Sequence, residues 1–122
     1  MALLAATWSG RPERLAELQQ LPNALDATLA AGGDIAQRAE RYRYMDQCVV
    51  ISRGYNYATA LELALKLKEL TYVQAVAYSS ADFRHGPIAT IYQGLPAILI
   101  MPSGAALDDM LDLALDLQRR WA

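Results

Sequence analysis

The stretch from Cys48 to Tyr78 constrains the fold of this chain more than any other. Cys48-Val-Val-Ile-Ser52 is a short continuous apolar run, and it reads as a strand buried on both faces. Arg53-Gly54 follows directly as a strand-to-helix turn. From Tyr57 to about Tyr72, Ala60, Leu61, Ala64, Leu65 and Leu67 recur at three- and four-residue spacing, which predicts a helix. Val73-Gln-Ala-Val-Ala-Tyr78 alternates weakly and predicts a second short strand. Strand, helix and strand in that order are the crossover unit of a parallel sheet, so the fold class is α/β.

The remaining elements extend this unit. Ser79-Ser80-Ala-Asp82 offers a cap for a brief helical turn that carries Phe83 and Arg84 towards His85, and Ile88–Tyr92 predicts one or two further turns. Gly94 ends them. Pro96–Met101 predicts a third buried strand closed by Pro102. A last helix is expected from about Ala105 to Trp121, with Leu107, Met110, Leu111, Ala114, Leu115 and Leu117 inward and Asp108, Asp109, Asp112 and Asp116 as a solvated row. Residues 1–44 predict helices only: one ending near Trp8, one begun at Pro12, one from Pro22 to Ala31, and one capped by Asp34 that runs to about Tyr44. The chain therefore divides into N-terminal helices at 1–44 and an α/β part at 45–122.

Composition narrows the function classes. With 122 residues, 54% hydrophobic and 20% charged, the chain has the make-up of a small globular domain. A net charge of −2 leaves no electrostatic footprint for nucleic acid or an acidic membrane, and no stretch is long and apolar enough to span a bilayer. Cys48, the single cysteine, sits inside an apolar strand, so the reading is a small buried hydrophobe in a reducing, cytoplasmic compartment. No metal site and no cofactor are expected, because helical aspartates without a ligating loop or a histidine seldom form a cage.

The chemistry-bearing residues are few. Glu62, Lys66 and Glu69 stand at i, i+4 and i+7 and form one charged stripe on the long helix, which alone is compatible with a solvated face. Sixteen residues beyond Glu69 comes His85, the only histidine, in Arg84-His85-Gly86-Pro87. Such a turn presents its side chain from a loop end. If a helix starts at Pro87, its dipole favours a neutral imidazole.

Ser52-Arg-Gly-Tyr-Asn-Tyr-Ala-Thr-Ala-Leu-Glu62, Ala64-Leu-Lys-Leu-Lys-Glu69, Ala77-Tyr78 and His85-Gly-Pro87 together resemble the sugar isomerase (SIS) domain family. The likeness is to the second SIS domain of glucosamine-6-phosphate synthases and to their relatives without a glutaminase domain, among them deaminases of amino-sugar phosphates. It runs in register from about Val49 to Met101. The resemblance implies a three-layer, flavodoxin-like fold of which this chain holds a part, its sheet continuing beyond the C-terminus and Met1 falling in the interior of a longer chain. It implies an aldose-ketose isomerase site on a phosphorylated sugar such as fructose-6-phosphate or glucosamine-6-phosphate. In that site Glu69 moves a proton between the first two sugar carbons, Lys66 supports it, and His85 opens the sugar ring in the site of a neighbouring subunit of a homodimer or higher oligomer. Glu62, Arg53 and Gly54 are the candidate substrate-binding residues.

Two departures tilt the likeness towards the relatives without a glutaminase domain: Asp82 stands where the synthases usually have Glu, and Arg84 where they usually have Lys. The alternative reading is a non-catalytic SIS module that senses phosphosugars for a regulator, since fold does not fix function. Glu69 and His85 favour the enzyme. In the family a Ser/Thr-rich loop of the first SIS domain holds the phosphate and a C-terminal tail lysine closes the site, and neither is among these residues. Binding through a remote phosphate is what keeps a small sugar in reacting geometry. The 122-residue chain alone is therefore expected to leave fructose-6-phosphate and glucosamine-6-phosphate unchanged; turnover on the order of 1 per second or faster would mean that it holds a complete site.

Overall fold

The computed structural model describes residues 1–120, in two compact units, Met1–Arg43 and the chain from Tyr44 onward. The first unit is helical: α1 (Ala2–Trp8), α2 (Pro12–Gln19), α3 (Leu21–Ala31) and α4 (Ile35–Ala39), the last continued by a 3-10 turn over Glu40–Tyr42. Pro12 and Pro22 each stand in a first turn, where a missing N–H costs nothing. Asp34 does not cap α4 through its side chain as expected; its carboxylate pairs instead with Arg38 at 2.7 Å. None of these helices has a buried residue, and Leu3, Leu4, Trp8, Leu25, Leu29 and Ile35 are exposed.

The second unit is α/β. Its elements are β1 (Gln47–Ser52), α5 (Tyr57–Thr71), β2 (Gln74–Ser79), α6 (Ser80–Arg84), β3 (Ala97–Leu99) and α7 (Leu107–Arg119). The three strands form a parallel sheet in the order β2-β1-β3, with Val49 opposite Val76 on one side and Ala97 on the other. Residues 48–52 are all buried, as a central strand covered on both faces requires. Alternate side chains feed two cores. Cys48 and Val50 meet Ala60, Ala64, Val73 and Ala75 under α5; Val49 and Ile51 meet Phe83, Leu95, Met110, Leu113 and Leu117 under α6 and α7. The result is three layers, helix on sheet on helix.

Not every apolar residue of α5 faces the sheet, and the inward face of α7 differs from the expected one. In α5 the seat is Ala60 and Ala64 flanked by Leu63 and Leu67, while Leu61 and Leu65 are 49% and 42% exposed. Alanines win there because they let the helix lie close against the sheet. In α7 the buried set is Met110, Leu113 and Leu117, whereas Leu111 and Leu115 face outward. Leucine occurs on nearly every side of both helices, so spacing alone does not select the inward stripe. The expected end of α7 at Trp121 lies outside the described residues. Instead of one or two helical turns at Ile88–Tyr92 there is a four-residue 3-10 turn over Pro87–Thr90.

Among the described residues no helix is long and apolar enough to cross a membrane. Cys48 is 1% exposed, and burial pushes its thiol pKa up, so it behaves as the small hydrophobe expected.

Helix α5 ends on Tyr72, which takes a left-handed backbone at φ 62° and ψ 9°. Such a cap favours glycine, and a side chain with a Cβ costs about 1 kcal/mol there. The Tyr72 side chain is 87% exposed, so little packing is lost with it. Tyr72→Gly is expected to stabilise the chain by about 1 kcal/mol in urea unfolding; an unchanged or lower midpoint would show that the tyrosine ring holds the cap.

Candidate active site

Strand order sets where a site can form. The chain passes from β1 through α5 to β2 on one side, then returns through α6 to β3 on the other, so the connections diverge between β1 and β3. In open parallel sheets ligands bind outside the carboxyl ends of the strands at such a point. There Ser52 Oγ donates to the Ile100 carbonyl at 2.8 Å and ties the two strand ends together. The turn that follows β1 needs Gly54, which has φ +59° with open space where a Cβ would stand.

Beside this point four side chains from three parts of the fold converge. Ser80 Oγ, wholly buried, donates to Asp109 Oδ2 at 2.7 Å. Arg53 Nη1 lies 3.4 Å from Ser80 Oγ and 4.0 Å from Asp109 Oδ2. Arg84 Nη2 donates to the Asp109 carbonyl oxygen at 2.9 Å and lies 3.7 Å from Oδ1. Two guanidinium groups thus share one carboxylate beside the His85 turn. A hydrogen bond from a buried hydroxyl to a charged carboxylate contributes about 1.5–3 kcal/mol.

Asp109 was expected in a solvated row, and Ser80 only as part of a cap. Instead Asp109 turns in to the cations, Asp116 pairs with Arg120 at 3.3 Å, and Asp108 and Asp112 are exposed. Ser79 occupies the cap position of α6 without a side-chain cap bond. Nothing in local sequence pairs residues 29 apart such as Ser80 and Asp109.

The other candidate residues lie on α5. Lys66 Nζ donates to Glu69 Oε2 at 2.7 Å and lies 3.8 Å from Glu62 Oε1, so the stripe is an acid-base-acid triplet along an exposed face. The hydrogen bond to Glu69 and then its charge push the Lys66 ammonium up from its ordinary value; desolvation opposes them, and Glu62 adds a smaller push than either.

His85 is exposed and caps the carboxyl end of α6, its N–H bonded to the Asp82 carbonyl at 3.1 Å. The helix expected at Pro87 is too short for an appreciable dipole, so the expected field from its N-terminus is missing. Because β1 and β2 are parallel, α5 runs back along the sheet. Glu69 near its end belongs to the amino edge, while His85 follows the carboxyl edge. Among the described residues no hydrogen bond or ion pair joins His85 to Glu69 or Lys66. Glu62, Lys66 and Glu69 are thus one group, Arg53, Gly54 and the His85 turn another.

Removing the carboxylate of Glu69 takes away the largest contribution to the Lys66 shift. Glu69→Gln is expected to lower the Lys66 pKa towards the usual lysine value, read from the titration of its Cε by NMR; no change would show that the pair does not persist in solution.

The SIS domain family matches residues 43–121. A glutamine--fructose-6-phosphate aminotransferase [isomerizing] of Bordetella pertussis is 38% identical over 98 residues, which are 80% of this chain and 16% of that protein. The enzyme of the same name from Thermotoga maritima is 41% identical over 90 residues, 74% of this chain and 15% of its own length. The C-terminal domain of glucosamine-fructose-6-phosphate aminotransferase from Francisella tularensis superposes with a TM-score of 0.84 at 29% identity, covering 89% of this chain and 31% of that one. This chain therefore spans about a sixth of the length of its curated relatives. The three-layer parallel fold, the charged stripe on α5, the His-Gly-Pro turn and these likenesses agree, and the chain belongs to the SIS domain family.

Proposed function

We propose that this chain supplies the proton-transfer part of an aldose-ketose isomerase site acting on a phosphorylated ketose or amino sugar of the fructose-6-phosphate and glucosamine-6-phosphate class. The observation that carries the reading is the 2.7 Å pair of Lys66 and Glu69 on an exposed helix face. Glu69 takes the proton from the carbon beside the carbonyl of the open-chain sugar and returns it to the adjacent carbon, which needs one carboxylate able to accept and to give. Lys66, whose ammonium form the neighbouring Glu69 favours, offers its positive charge to the oxygen that becomes anionic in the enediolate. His85 opens the sugar ring, and Arg53, Gly54 and Glu62 orient the substrate. The relatives named as isomerizing aminotransferases support the sugar-phosphate class. The buried single thiol fits a reducing cytoplasm.

Since Glu69 and His85 belong to opposite edges of one sheet, a complete site takes its histidine, with Arg53 and Gly54 beside it, from a second copy. Exposed Leu61 and Leu65 border the charged stripe and give such a copy apolar surface to cover. A shared site has a definite signature in mixed assemblies of the protein that carries this chain. Glu69→Gln and His85→Ala subunits are each expected to be strongly slowed alone, with a loss of about 10² to 10⁴-fold for the proton-transfer residue and little change in ligand affinity. Mixed in equal amounts as a dimer, they are expected to regain about a quarter of the wild-type rate, because half the dimers hold one intact site of two. No recovery on mixing would place both residues in one subunit; a Glu69→Gln variant that keeps its rate would remove the role given to Glu69.

A further inference from the structure

We propose that Asp109 is a positioning residue for His85, holding both ends of α6 so that the imidazole is presented at a fixed place. The inference rests on the ring-opening role given to His85 above. Helix α6 has five residues, too few to be stable by itself, so its place is set by what it touches. Phe83, wholly buried, seats its middle in the core. Asp109 takes both its ends: the carboxylate accepts from Ser80, its first residue, and the carbonyl oxygen accepts from Arg84, its last. His85 is the next residue. Among the described residues no hydrogen bond or ion pair holds the imidazole, so it inherits its position from the helix it caps. Arg53, drawn to the same carboxylate, ties the clamp to the turn after β1.

Asp109→Ala removes the anchor of Ser80 and the carboxylate facing both guanidinium groups, yet leaves Phe83 in place. The fold is therefore expected to persist while the turn loosens. A misplacement of about 1 Å costs on the order of 10²-fold where a group acts in the chemistry. A loosened turn that still visits the productive position is expected to cost about 10-fold in kcat with KM within about 2-fold of wild type.

The test uses the protein that carries this chain and two substrates. Fructose-6-phosphate must be ring-opened, whereas its 5-deoxy analogue lacks the hydroxyl that closes the furanose ring and is always open. Asp109→Ala is expected to slow the first about 10-fold and the second less than about 2-fold, and to add no further loss to His85→Ala. Asp109→Asn keeps a neutral acceptor for Ser80 and is expected to fall between, which covers the case in which the alanine variant does not fold. A wild-type rate for both variants, an equal loss on the two substrates, or a further loss in the double variant would each overturn the inference. A wild-type rate for His85→Ala would overturn the role of His85 itself, and the inference with it.

Discussion

Burial of β1 on both faces is the constraint from which the rest of the structure follows. A strand whose residues alternate between two apolar layers cannot stay at a surface, so it takes a hydrogen-bonded neighbour on each side and a helical layer above and below. With β2 and β3 as those neighbours, α5 covers one face and α6 with α7 the other. The connections must then part around β1, at its carboxyl end. The polar groups found there are held because their elements are held. Phe83, Met110, Leu113 and Leu117 fix α6 and α7 against the sheet, and Ser80, Arg84 and Asp109 stand on those same helices.

Electrostatics divides the chain's ionic groups into two settings. On α5 the ions are exposed and paired within one helix, an arrangement that contributes little to stability and leaves all three groups accessible. At the carboxyl edge the pairs link separate elements, and the hydroxyl among them is wholly buried. The first setting suits groups that exchange protons with a ligand. The second suits groups whose work is to stay where they are.

Much of the fold was legible in the sequence because the decisive signals were local. The apolar run at Cys48–Ser52, the Arg53-Gly54 turn and the long helical period marked β1 and α5 almost to the residue. The inward faces were less legible: Leu61, Leu65, Leu111 and Leu115 look as apolar as the residues that are buried, and only the position of the sheet distinguishes them. Within the candidate site Lys66 and Glu69 could be paired from their spacing, since neighbours on one helix face are fixed by its pitch. The cluster on Asp109 could not. Its members are separated by 25 to 56 residues from their partners, and they meet only because β2 lies beside β1 and α7 packs back over both.

The alanine seat of α5 has a consequence for how such a domain can change over evolutionary time. Ala60 and Ala64 lie so close to the sheet that larger side chains would lift the helix, so these positions are closed to drift. The opposite face carries Glu62, Lys66 and Glu69 in solvent, where replacements cost the fold almost nothing. What that face presents can therefore change without any penalty in folding. A lineage can rewrite its exposed chemistry there while its scaffold remains under unbroken selection.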